Sequence, residues 1–455
     1  MRPPSLVVFA AALTLAALLS PCVQSQTPDS AAVPVAPPAT STAPATTPAA
    51  APANAPATAR ATAAPFDANA ATEAYMAKLS PDARARSDAY FEGGYWLLLW
   101  GFLYGLGVAW LLLGTRLSAR MRDAAERISK RTWLQTGIYG VEYIVLTAAL
   151  GFPLTLYSDF IREHQYGLSN QNFVQWMRDQ LVGLGVGVVL GAVALVLVYA
   201  AIRRASRNWW LWGAGVALVL MVCLVAVAPV YIAPLFNSYR PLPASPLKAQ
   251  ILSLARANGI PASNVYEFDA SKQSKRVSAN VSGMFNTVRI SLNDNLMNRA
   301  SPAEVRAVLG HEMGHYVLHH AYKGVVFFAV LIVIAFAFVQ WAMTRLLARH
   351  GERWGIRGAG DVAGLPLLVA LFSVFLFVMT PVTNTITRTF EAEADIFGLN
   401  ASREPDGFAE AALQLSEYRK MHPGPLEEVI FFDHPSGWNR IHRAMVWKGE
   451  NLTAK

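Results

Sequence analysis

The sequence predicts a mainly α, polytopic helical membrane protein that also carries a small α/β element. Three observations predict it. Of 455 residues, 54% are hydrophobic and only 15% are charged, against about 25% charged in soluble domains. Six apolar stretches are each long enough to cross about 30 Å of hydrocarbon. The basic residues gather in the short loops between those stretches. The net charge of +8 therefore reads as membrane orientation, not as a nucleic-acid surface. The lipid bilayer is an expected partner and nucleic acid is not.

Residues 1–26 have the pattern of a signal peptide or anchor: Arg2, an apolar run from Leu6 to Leu19, then Pro21 and small residues. Residues 27–65 are almost entirely Ala, Pro and Thr. Such a segment cannot bury enough apolar surface to fold, so a disordered linker is expected. Residues 66–93 read as a short amphipathic helix leading into the membrane. Cys22 lies beside the cleavage region and Cys223 inside an apolar run, so neither a disulfide framework nor a cysteine metal site follows.

Four spans come next, near Tyr95–Leu113, Ile138–Tyr157, Leu181–Ile202 and Trp210–Ile232. Two more follow a polar stretch, near Gly324–Met343 and Ala363–Pro381. This divides the folded part into an N-terminal membrane domain at 66–235 and a second domain at 236–455 with two further spans. Arg116, Arg120, Arg122, Arg127, Lys130 and Arg131 lie between the first two spans. Arg203, Arg204 and Arg207 lie between the third and fourth, and Arg345, Arg349, Arg353 and Arg357 between the fifth and sixth. The Ser158–Gln180 loop balances its charges. By the positive-inside rule the three basic loops are cytoplasmic. The other loops and the C-terminal region then face outward, which in a bacterium means an inner-membrane protein facing the periplasm.

Between the fourth and fifth spans, Leu247–Asn258 reads as helix and Asn264–Phe268 and Thr287–Leu292 as strands. Val277–Gly283 is a third candidate strand. This unit is either a packing module or a strand edge that holds an extended peptide by main-chain hydrogen bonds.

The chemistry begins at Ser301-Pro302-Ala303-Glu304, a helix start with Ser301 as N-cap, Pro302 at N1 and Glu304 closing a capping box. The helix then carries His311-Glu312-Met313-Gly314-His315. Positions i and i+4 share a helix face, so both histidines can grip one metal ion. Glu312 stands where a carboxylate can take a proton from water activated there, the zinc-peptidase arrangement. Two histidines on a helix face can also be plain core residues, so a third ligand matters. Thr387-Arg388-Thr389-Phe390-Glu391-Ala392-Glu393-Ala394-Asp395 offers one. Glu391 and Asp395 share a helix face, as do Arg388 and Glu391. Glu391 can be the ligand, and Asp395 can accept the free ring N–H of a ligating histidine. The same charges read equally well as a solvated, salt-bridged helix face.

From about Tyr95 to Val446 the chain resembles the zinc-dependent type I CaaX prenyl proteases and their bacterial membrane metallopeptidase relatives, the HtpX-like enzymes. The motifs that carry the likeness are His311–His315 and Thr387–Asp395. Glu163-His164-Gln165-Tyr166-Gly167-Leu168, Ala233-Pro234-Leu235-Phe236-Asn237 and His434-Pro435 with Arg440-Ile441 support it. The resemblance implies a zincin-like catalytic helix pair and a helical membrane chamber with the zinc at its edge. It implies one Zn2+ per chain on His311, His315 and Glu391, with Glu312 as catalytic base and no ligand role for Glu393, His319 or His320; Asp395 and Arg388, from their helix face, are expected as supporting groups. Two departures stand out. Asn280-Val281-Ser282-Gly283 replaces the family's frequent Asn-Ala-Tyr, and the loop charges place the site outside, whereas the eukaryotic enzymes cut on the cytosolic side. A prenylated substrate is therefore not expected.

The function expected is that of a membrane-embedded zinc metalloendopeptidase acting on peptide or protein substrates. His434 and Arg440 are candidate stabilisers of the tetrahedral oxyanion, although His434 also reads as an ordinary loop histidine ahead of Pro435. The alternatives are a non-catalytic membrane scaffold with a structural zinc and a transporter. Glu142 is nearly the only charge within the spans, which disfavours the transporter.

Overall fold

The structure, a computed structural model, describes residues 66–205, 207–282 and 288–452. The expected signal and the Ala/Pro/Thr linker lie outside the described residues. Helix α1 (Ala68–Met76) starts where Asp67 Oδ1 accepts hydrogen bonds from the Asn69 and Ala70 amides. Ser80 and Pro81 then stop one helix and start another, α2 (Pro81–Gly114), because proline fits the first turn of a helix but not its interior. The single amphipathic helix expected before the first span is thus two pieces. The second runs unbroken into the membrane-length segment.

A short helix, α3 (Leu117–Ile128), follows. The next spans are α4 (Thr132–Gln165), α5 (Phe173–Arg204) and α6 (Trp209–Leu235). Helix α4 widens to a π-helical stretch at Leu156–Ile161, just after Pro153, which cannot donate to the helical ladder. Past the sheet region come α9 (Pro302–Val317), α10 (His320–Trp354) and α11 (Leu365–Ser402). Among the described residues, six helices are long and apolar enough to cross a membrane, at the six places the sequence indicated. Their core joins Tyr139 and Tyr199 of α4 and α5 to Phe336 of α10 and Phe372 of α11. At the end of the bundle that carries the arginine-rich loops, Ser118 Oγ donates to the Ala363 carbonyl at 2.7 Å and buried Arg122 pairs with Asp361. The ends of α2 and α11 therefore stand at one level.

The small sheet comprises β1 (Tyr239–Pro241), β2 (Val265–Phe268), β3 (Ala279–Ser282) and β4 (Arg289–Asn293). Its order is β1-β2-β4-β3, with β2 and β4 parallel and both outer pairs antiparallel. Helix α7 (Pro246–Ala257) covers it, and α8 (Asp294–Arg299) follows β4. Val265, Ile290 and Leu292 pack with Leu309 and Met313 of α9 in one buried cluster. One face of α9 is thus fixed on the sheet. Buried Arg276, just before β3, donates from Nη2 to both Glu163 carboxylate oxygens at 3.1 and 2.9 Å, and the Tyr90 hydroxyl joins them. This ties the sheet to α2 and α4.

Helices α12 (Pro405–Gln414), α13 (Pro425–Phe431) and α14 (Gly437–Asn451) complete the chain. Met76 of α1 packs into the α12–α14 cluster with Phe408, Ile441 and Met445. The N-terminal end of the described chain is thereby held against its C-terminal end.

Candidate metal centre

The capping box forms as the sequence requires: Glu304 Oε2 accepts from the Ser301 amide at 2.7 Å, and Ser301 Oγ accepts from the Glu304 amide at 3.3 Å. Helix α9 then presents its second face to α11. Three glycines let the two backbones approach. A Cβ on Gly310 would lie 2.9 Å from the Gly398 carbonyl oxygen, and one on Gly398 only 2.7 Å from the His311 amide nitrogen. A Cβ on Gly314 would meet the Ala394 Cα at 3.1 Å. This crossing brings Glu391 to the two histidines.

His311 Nε2 and His315 Nε2 lie 3.1 Å apart. Glu391 Oε2 is 3.2 Å from His311 Nε2, and Glu391 Oε1 is 3.4 Å from His315 Nε2. Tetrahedral ligands on zinc, with bonds of about 2.0–2.1 Å, stand about 3.3 Å apart. The three donors have that spacing. Glu391 is buried, and its Oε2 has no aligned hydrogen-bond donor despite the nearby imidazole nitrogens. Two imidazole nitrogens and an unsatisfied carboxylate oxygen facing one point are a donor set that a divalent cation fits. His311, His315 and Glu391 could together hold a metal ion.

Both ring nitrogens of each histidine are engaged. His311 Nδ1 lies 2.9 Å from Asp395 Oδ1, one turn beyond Glu391 on α11. Asp395 is itself fully buried and accepts from Arg440 Nε and Nη2 at 3.1 and 2.6 Å and from Arg443 at 3.0 Å. Burial alone would push the His311 imidazole down, but its bonds to Asp395 and Glu391 outweigh that and hold it up at about 9 in the metal-free site. Arg440 thus commits two donors to Asp395; it stands behind His311 and holds the carboxylate that orients it.

His315 is held by a residue to which the sequence reading gave no role. His320 Nδ1 lies 3.0 Å from His315 Nδ1, and His320 Nε2 lies 3.0 Å from Glu393 Oε2, which also accepts from Lys323. The His320 ring stacks on Phe390. On a continuous helix His319 would share the face of His315. The helix breaks instead: α9 ends at Val317, and His319 adopts a left-handed φ of 58° before α10 begins. That break turns His319 toward Tyr322 and His320 toward the site.

Glu312 is 3% exposed, and its Oε1 has no hydrogen-bond partner. It lines a small cavity with His311, Phe408 and Arg440. Burial pushes its carboxyl up to about 7 against the pull of the neighbouring imidazoles. His434 arrives from the α13–α14 turn, with Nε2 3.1 Å from Glu391 Oε2 and Nδ1 2.9 Å from Asp433. Arg388 faces away from the two histidines. It donates to the Glu428 and Phe432 carbonyls at 2.8 and 2.5 Å and so holds the segment that delivers His434.

A helix bearing His-Glu-x-x-His, crossed by a glutamate-bearing helix within six membrane-length helices, defines a membrane metalloprotease. The comparisons with known proteins give its family. Residues 241–448 match the profile described as Peptidase family M48, and residues 67–238 match that described as CAAX prenyl protease N-terminal, five membrane helices. Residues 241–448 thus form a peptidase family M48 domain. Among the described residues, the N-terminal match contains four of the six membrane-length helices. The chain is 28% identical over 352 residues to the uncharacterized metalloprotease YhfN of Bacillus subtilis, covering 75% of this chain and 82% of that one. It is 27% identical over 318 residues to CAAX prenyl protease 1 of Saccharomyces cerevisiae, covering 65% and 69%. The crystal structure of S. mikatae Ste24p shares the fold, with a TM-score of 0.69 at 22% identity over 83% of this chain and 94% of that one.

Proposed function

We propose that the chain is a zinc endopeptidase of a bacterial inner membrane, with its site on the periplasmic side. His311, His315 and Glu391 hold one zinc ion; the observation that carries this is their mutual spacing of 3.1 to 3.4 Å. When bound, zinc supplies a Lewis acid that polarises the scissile carbonyl and lowers the pKa of a water toward about 7. Glu312 is the general base. Buried beside His311 with an unpartnered carboxylate oxygen, it can accept the water proton and pass it to the leaving amine. His434 reaches the same side of Glu391 and supplies a donor toward the tetrahedral oxyanion. Arg440 and Asp395 orient His311.

The substrate is a peptide or protein chain in extended form. Among the described residues β3 is an edge strand, packed beside α9, and an edge there suits strand addition next to the metal. The basic loops at the opposite end of the spans support the periplasmic orientation. With the site there, the substrate is not a cytosolic prenylated protein. The division at residue 235 separates the four-span membrane domain from the metallopeptidase domain.

Replacing Glu312 with Gln should leave zinc bound and abolish proteolysis. The readout is the set of membrane and periplasmic fragments in cells carrying the active or the Glu312→Gln protein. An unchanged fragment set with a normal cell phenotype would favour the non-catalytic scaffold instead.

A further inference from the structure

Helix α13 has its polarity inside out. Its charged residues turn toward the protein: Glu427 accepts from the Tyr95 hydroxyl at 2.8 Å and pairs with Lys420, and Glu428 accepts from the Ser436 amide and Asn439. Three of its apolar residues turn outward, while Ile430 and Phe431 at its end are half-buried. Leu426 is 72% exposed and Val429 is 44% exposed, one helical turn apart, with Pro425 beside them. A short helix facing water on this side would show the reverse pattern.

The height of α13 says what it faces. The Phe431 ring stacks on Tyr95 of α2 at 3.9 Å, and the Ile430 carbonyl accepts from Asn384 of α11 at 2.7 Å. Tyr95 stands 19 residues before Gly114, the end of α2, and Asn384 stands 19 residues after Leu365, the start of α11. At 1.5 Å per residue each lies about 29 Å from the arginine-rich end, which the Ser118–Ala363 bond shows to be shared. Hydrocarbon is about 30 Å thick. Two independent helices thus put α13 at the opposite hydrocarbon boundary. Trp96, next to Tyr95 on α2, is an exposed aromatic at that same level, as at a membrane interface.

We propose that α13 is an interfacial anchor, with Pro425, Leu426 and Val429 seated at the acyl–headgroup boundary of the leaflet on the active-site side. Arg388 and Asn384 clamp its backbone, and the chain passes directly from it through Phe432 and Asp433 to His434. Lipid contact at α13 thereby sets the height of His434 above the bilayer, and bonds cleaved there lie close to the membrane surface. The anchor rests on the spans and not on the catalytic reading.

The test uses the full chain in bilayer nanodiscs of phosphatidylcholine and phosphatidylglycerol, with Cys22 and Cys223 replaced by Ser. The environment-sensitive dye NBD is attached to Leu426→Cys or Val429→Cys, to Arg256→Cys on exposed α7 as a water control, and to Val219→Cys on α6 as a mid-membrane control. Lipids carrying a doxyl quencher high on the acyl chain should quench the 426 and 429 labels more than lipids carrying it at mid-chain. The 219 label should show the opposite order, and aqueous iodide should quench mainly the 256 label. Labels at 426 and 429 that follow the 256 pattern would overturn the anchor. Labels there shielded from both quenchers would also overturn it, and would point to a protein surface or a second copy.

Discussion

Gly398 and His311 touch through their backbones: a Cβ at Gly398 would stand 2.7 Å from the His311 amide nitrogen and 3.0 Å from its Cα. Both are main-chain atoms of a packed helix and cannot swing aside. Gly398→Ala should therefore push α11 off α9 and carry Glu391, two turns earlier, away from the imidazoles. Overpacking of this kind costs about 1–3 kcal/mol. The expected outcome is a folded protein with a lowered melting temperature and substoichiometric bound metal. Stoichiometric zinc in the purified variant would show that the crossing does not set the site.

His320→Phe tests the hold on His315. A phenyl ring keeps the stacking on Phe390 but loses the contact to His315 Nδ1. Removing a group that orients a metal-binding histidine typically lowers metal affinity 10- to 100-fold, by order of magnitude. Chelator competition should read that loss with little change in melting temperature. His319→Asn, which tolerates the left-handed backbone at that position, should leave affinity unchanged.

This pair also shows where the sequence stopped being legible. Six spans, the capping box at Ser301 and the two histidines were readable because each depends on local pattern alone. That Glu391 faces those histidines was open, since the same charges on a solvated helix would look alike. His320 was passed over because its direction depends on one left-handed residue, His319, that helical periodicity cannot foresee. The roles of Gly310, Gly314 and Gly398 appear only when two helices distant in sequence are set side by side. Arg440 reads from the sequence as a candidate oxyanion stabiliser, and its two bonds to Asp395 are not legible there, because α14 docks through tertiary packing.

Orientation is tested by reporter fusions ending after His320 and after Arg357. The loop between α10 and α11 carries the arginines that the positive-inside rule assigns to the cytoplasm. A periplasm-active reporter should therefore work after His320 and fail after Arg357. The reversed pattern would move the site to the cytosolic side and reopen the case for substrates found there.

Glu312 gives the prediction that links stability to function. Its carboxyl is buried and held up at about 7, so the native state binds its proton more tightly than the unfolded chain does. A raised acid pKa means that stability falls as pH rises from the unfolded value, about 4.3, through about 7. Each pKa unit corresponds to about 1.4 kcal/mol, so the loss is on the order of 4 kcal/mol. A glutamine side chain in its place would not titrate. In chelator-treated protein, Glu312→Gln should match the parent near pH 4 and be the more stable of the two by pH 8. His311, held up at about 9, adds its own decline in both proteins as pH rises from about 6.5 through about 9, so the comparison rests on the difference between the two proteins at each pH. Denaturant unfolding at a series of pH values reads the difference directly. A glutamate that weakens the fold at working pH, and whose replacement strengthens it, is placed there for what it does to a proton. Equal stability of the two proteins at pH 8 would mean that Glu312 sits in a solvated setting, and its assignment as a tuned base would lose its physical ground.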